Sequence, residues 1–187
     1  MPEIARRLPT SSVSGACPER GSHVGTSFAE EIGWWGDNAP MTTRLKGRRR
    51  EAARVVDAVS REANVSSEIQ AVALVGSYAR GAERMASDVD LVLLAADPDA
   101  LAASPWFVRL LPGAELVRSR RWGPVRERRY RLCSGLFVEL GIAPVSWADL
   151  PLDAGTRRVL SDGHRVLYDE GLLSEASKLV RSDTAAR

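Results

Sequence analysis

Two short stretches constrain this 187-residue chain more than the rest: Val75-Gly76-Ser77-Tyr78-Ala79-Arg80-Gly81, then Ser87-Asp88-Val89-Asp90-Leu91-Val92-Leu93-Leu94. An apolar run ends in a Gly-Ser turn, and eleven residues after Ser77 a second apolar run opens on two carboxylates. Alternate side chains of a strand share a face, so Asp88 and Asp90 point the same way beside a run that wants burial. Two anions held this close repel, and burying them unpaired is costly. A divalent cation relieves both problems. Gly76 and Ser77, at the mouth of a short helix, offer backbone N–H groups and a hydroxyl to an anion. A cradle for an anion beside a site for a cation is what a metal-bound nucleoside triphosphate needs.

Gly76-Ser77 followed by Asp88-x-Asp90 resembles the signature of the DNA polymerase beta-type nucleotidyltransferase superfamily, and most of all its small bacterial members, the minimal and aminoglycoside-type nucleotidyltransferases. The matching core runs from about Ala71 to Leu94. A looser likeness extends from Trp122 to Leu173 through Arg-Trp-Gly, Ser-Gly-Leu-x-Val-Glu and Gly-Thr-Arg-Arg-Val-Leu. The resemblance implies an α/β fold: a mixed, twisted sheet of about four to five strands with helices mainly on one face. It also implies Mg²⁺-dependent transfer of a nucleoside monophosphate, AMP from ATP, to an acceptor hydroxyl with release of pyrophosphate.

Within Leu136-Phe137-Val138-Glu139-Leu140-Gly141-Ile142 a single acid interrupts an apolar strand. Glu139 is either an edge residue facing water or, as the resemblance implies, the third carboxylate beside Asp88 and Asp90. Three carboxylates hold two Mg²⁺ ions in such sites, and the third acid helps to deprotonate the acceptor. Glu stands where Asp is commoner in the family, and it is one methylene longer. Arg80 and Arg84 lie between cradle and carboxylates, as phosphate contacts or as solvated loop residues. Arg118, Arg120, Arg121, Arg126, Arg128, Arg129 and Arg131 form a basic cluster that strand alternation divides between two faces. Such a cluster docks a polyanion or pairs with acids such as Glu115 and Glu127. Trp106, Trp122 and Trp147 either stack a nucleobase or pack in core and rim.

The net charge of +2 argues against a dedicated nucleic-acid coat. The longest apolar run is far short of a membrane span. Cys17 and Cys133 do not make a disulfide framework and read as reduced thiols in a cytoplasm. His23 and His164 are too isolated for a zinc site and read as surface residues. Residues 1–40 are rich in Ser, Gly, Thr and Pro without a sustained period, and read as a disordered extension or a mis-called start. Residues 41–187 then form the nucleotidyltransferase domain. The expected elements are a helix from Thr43, strands over 69–75 and 88–95, a short helix over 77–81, and a helix from Asp97 to Leu111. Three strands over 114–121, 124–132 and 136–142 and two helical pieces between 153 and 180 follow. The acceptor is left open between a small molecule, a protein and an RNA end, and so is a homodimer or a toxin-type protein partner. A second reading is a non-catalytic nucleotide-binding or antitoxin-like module of the same fold.

Overall fold

The structure is a computed structural model and describes residues 41–185. Helix α1 (Met41–Val65) leads into β1 (Ile69–Val75), the short α2 (Gly76–Ala79) and β2 (Val89–Ala95). Helices α3 (Pro98–Ala103) and α4 (Trp106–Leu110) precede β3 (Glu115–Trp122), β4 (Val125–Arg131) and β5 (Phe137–Pro144). A 3₁₀ turn (Val145–Ala148), α5 (Ala154–Ser161), β6 (His164–Asp169) and α6 (Ser174–Ala185) complete the order. The fold is the expected mixed α/β, built on one six-stranded sheet in the order β3-β4-β5-β2-β1-β6. Only β2 and β5 run parallel; the other neighbours are antiparallel.

Strand β6 is one more than expected. Its six residues fall in the stretch read as helical, but Asp162-Gly163 ends α5 and the chain returns extended to pair with β1. The helix expected over Asp97–Leu111 is split. Asp97 caps α3 by accepting from the Ala100 N–H at 2.9 Å, and Pro105 then separates α3 from α4 because its ring cannot continue a helix.

Alternation along the central strands builds two unlike faces. Ile69, Val72, Leu74, Val89, Leu91, Leu93, Val138, Leu140 and Ile142 are buried with Val55, Val59 and Ala63 of α1 and Leu101, Trp106 and Phe107 of α3 and α4. The apolar positions of α1 recur every three or four residues, which is why one stripe of it seats on the sheet. On the other face Ala71, Ala73, Leu94 and Ala143 are covered by Ala148 and Leu173, and α5 and α6 pack together through Leu160, Ala176 and Val180. That second cover lies over one end of the face only.

His164, expected at the surface, is half-buried: Nδ1 donates to the Leu160 carbonyl and Nε2 lies 2.9 Å from Ser177 Oγ. Cys133 Sγ lies 3.6 Å from the Gly113 carbonyl oxygen. No helix among the described residues is long and apolar enough to cross a membrane. Residues 1–40, with the expected extension, Cys17 and His23, lie outside the described residues.

Candidate active site

One rank of residues crosses all six strands. Arg118 of β3 stands opposite Arg129 of β4, Arg129 opposite Glu139 of β5, and Glu139 opposite Asp90 of β2. Asp90 stands opposite Val75 of β1, and Val75 opposite His164 of β6. The rank faces the side of the sheet that α1 does not cover. The parallel register of β2 and β5 thus puts two carboxylates side by side on adjacent strands.

Immediately beyond Val75 the chain turns at Gly76, with φ of +69°. Glycine is required here twice over. The left-handed backbone disfavours any other residue, and a Cβ would lie 2.5 Å from Asp90 Oδ2. The Gly-Ser turn and the second aspartate are therefore in direct contact. Ser77 follows in the first turn of α2, and its carbonyl accepts from the Ala82 N–H at 3.0 Å.

The charges along the rank are unevenly matched. Arg129 reaches Asp88 at 2.5 Å and lies 4.6 Å over the Phe137 ring. Arg118 is shared between Glu139 at 2.8 Å and the buried Glu127 at 2.6 Å, and Glu127 also accepts from the Trp122 indole at 2.6 Å. Burial opposes the charge on Glu127, but the bonds from Trp122 and Arg118 outweigh it and its carboxyl falls below the ordinary range. Glu139 is pushed up, chiefly by burial and by the charge of Glu127, against the pull of Arg118 and Arg129. Asp90 has no such bond. Burial, and after it the charges of Glu139 and Asp88, push its carboxyl up to about 7. It is the residue on this face whose ionised form is least compensated.

The structure thus brings Asp90, Glu139 and Gly76 together and turns Asp88 toward Arg129. Among the described residues no three potential ligands are gathered as a ready-made metal cluster, and two of the three acids, Glu139 and Asp88, are engaged by arginines. The donor set still suits a hard cation: carboxylate oxygens only, with the charge of Asp90 offset only in part by Arg129 and Arg80. Arg80 donates to the Asp162 carbonyl at 2.6 Å, and its charge is near enough to lower the Asp90 carboxyl slightly against the larger upward pushes. Arg84 is exposed; its backbone N–H donates to Ser87 Oγ at 2.8 Å, which shapes the loop before Asp88.

The basic cluster divides as alternation requires. Arg126 pairs with Asp99, and Arg128 donates to the Ala102 carbonyl at 3.0 Å, both on the face of α3; Arg118 and Arg129 serve the acids. The pairings of Arg118 and Arg129 with specific carboxylates were not visible in the sequence as such. The period-two spacing of Arg129 and Glu127 in β4 was the available signal, and it needed the β4–β5 register to be used. Of the three tryptophans, Trp106 is buried in the core, Trp122 is exposed, and Trp147 lines a cavity of about 200 Å³ next to Asp90 and Glu139.

Residues 53–130 match the family model of the nucleotidyltransferase domain. No curated protein matches the chain. The matched segment carries β1, the Gly76-Ser77 turn, both aspartates and most of β4, and it stops before Glu139. Turn, carboxylates and matched segment agree: residues 53–130 are similar to the nucleotidyltransferase domain, which supports the resemblance to the DNA polymerase beta-type superfamily.

Proposed function

We propose that this domain moves a nucleoside monophosphate, AMP from ATP, to an acceptor hydroxyl. The acceptor oxygen bonds to the α-phosphorus, the bond from that phosphorus to the bridging oxygen breaks, and pyrophosphate leaves with the electron pair. The observation that carries the reading is the contact between turn and acid: Gly76 leaves room for Asp90 Oδ2, and Asp90 stands in register with Glu139. Gly76 and Ser77 would hold the triphosphate through N–H groups and a hydroxyl, with Arg80 and Arg84 at its approach. Asp88, Asp90 and Glu139 would hold Mg²⁺, which supplies charge neutralisation at the phosphate oxygens. Glu139, already pushed up by burial, would take the proton of the acceptor hydroxyl. Most of the rate enhancement would come from positioning and electrostatics, with no covalent enzyme intermediate.

The pairs Arg118–Glu139 and Arg129–Asp88 give this reading a specific cost, since both must loosen for the acids to take a cation. The same pairs favour the second reading, a nucleotide-binding or antitoxin-like module without turnover. Calorimetry with ATP, once with Mg²⁺ and once with chelator, followed by incubation with labelled ATP and a cell lysate, separates the two. Metal-dependent binding with label transferred to an acceptor supports the enzyme. Metal-dependent binding without transfer supports the module, and equal binding in both conditions, or none, removes the nucleotidyltransferase reading.

A further inference from the structure

The cavity beside the acids has a composition that the transfer reading alone does not explain. Along β2 and β5 the next positions on the same face after Asp90 and Glu139 are Val92 and Gly141, which are themselves opposite each other. They lie one pleat on, about 7 Å along the strands. Val125 of β4, Trp147 of the 3₁₀ turn and Val159 of α5 wall the space above them. Among the described residues, Asp90 and Glu139 are the only ionisable groups that line it. Gly141 keeps it open: a Cβ there would already touch Val125 Cγ1 at 3.6 Å and Val92 Cγ2 at 3.9 Å, so any longer side chain would enter the cavity.

We propose that this cavity receives the apolar ring of the acceptor, and that the acceptor class is a hydroxyl borne on such a ring: a phenol or an alicyclic alcohol. The inference rests on the transfer reading for the hydroxyl and on the cavity alone for the ring. Three observations select this occupant. The acids stand between the Gly76-Ser77 turn at the end of β1 and the cavity one pleat along β2, so a triphosphate at the turn and a ring in the cavity meet at the carboxylates. The lining offers an apolar ring valines and an indole, while its charged side chains, Asp90 and Glu139, stand at the end where a hydroxyl would be used. At about 200 Å³ the cavity is smaller than the roughly 300 Å³ at which pockets for drug-sized ligands begin, so it has room for one ring rather than several. A nucleobase is a poorer occupant, since its ring edges carry donors and acceptors that valines leave unpaired.

The test uses the full chain with two probes, 4-methylphenol followed by ligand-observed NMR and the Mg²⁺ complex of a non-hydrolysable ATP analogue followed by calorimetry. The wild-type chain is expected to bind both. Gly141→Leu, which fills the cavity from the sheet, is expected to weaken 4-methylphenol about tenfold or more and to leave the nucleotide within about twofold. Val159→Trp fills the same space from α5 and should act alike, so a folding defect in either variant, read by its melting curve, does not decide the result. Loss of nucleotide affinity in parallel with the phenol would assign the cavity to the nucleoside and overturn the proposal. Nucleotide binding without any phenol binding to the wild-type chain would also overturn it. Phenol binding that the fillers abolish, in a chain that binds no nucleotide, would sustain the ring site and count against the transfer reading instead.

Discussion

Strands β2 and β5 present two surfaces from one run of residues. Val89, Leu91 and Leu93, with Val138, Leu140 and Ile142, are sealed under α1, α3 and α4. The interleaved Asp90 and Glu139 look out on the opposite side, half-buried, among arginines and a small cavity. One surface is apolar and closed; the other holds like charges that burial disfavours. Stability and chemistry are divided at a spacing of a single residue. The strands can carry an energetically unfavourable pair of acids because their other side is continuous core.

If that division is right, changes on the two surfaces have opposite signatures. Asp90→Asn should reduce nucleotidyl transfer by roughly 10²–10³-fold or more, the scale of losing a preorganised charged group, with the fold kept. It should also stabilise the unliganded chain at pH 8. The sign follows from the carboxyl held up to about 7 against an ordinary 3.8. Between those values the folded chain binds a proton that the unfolded chain does not, so wild-type stability falls as pH rises through this window. Melting curves of both chains at pH 5 and pH 8 check this; an advantage for Asp90→Asn at pH 5 only would contradict it.

Leu140→Ala, on the sealed surface one residue from Glu139, should cost about 2–5 kcal/mol of unfolding free energy. Its transfer rate at a temperature where it remains folded should stay near that of the wild type. A drop as large as that of Asp90→Asn would show that the surfaces are not separable. Mg²⁺ affinity sharpens the same contrast: below pH 7 the cation competes with the proton on Asp90, so affinity should fall about tenfold per pH unit. Isothermal titration from pH 8 to pH 5.5 reads this slope, and a flat profile would remove Asp90 as a ligand. The smallest effect is expected from starting the chain at Met41. Residues 1–40 lack a periodic apolar face, so the melting temperature should move by only a few degrees; a large loss would make them part of the fold.

The parts of the site legible in the sequence are those encoded by neighbours. The runs before Gly76 and after Asp88 mark β1 and β2, and a lone acid in an apolar strand marks Glu139. What escaped depends on register or on distant segments. Arg118 and Arg129 sit in a run of arginines whose faces are known but whose partners across β4 and β5 are not. Trp147 of the 3₁₀ turn and Val159 of α5 come from segments after β5, and only the packing of those segments brings both to the cavity beside the acids. The half-buried residues of β6 carry no strict alternation, so the sequence there does not mark a strand, and pairing with β1 decides its state. His164 looked solitary in sequence, but its two partners come from α5 and α6.

The 2.5 Å between the missing Cβ of Gly76 and Asp90 Oδ2 also sets what this locus tolerates over evolutionary time. The loop over 81–87 runs between the turn and the acids, and several of its residues are exposed. Whole residues added there have solvent to enter. One carbon atom added at position 76 has nowhere to go except into the carboxylate. Length is therefore negotiable between the two halves of the signature, while volume at its first residue is not, and drift in this family of sequences should accumulate in the spacer and spare the hinge.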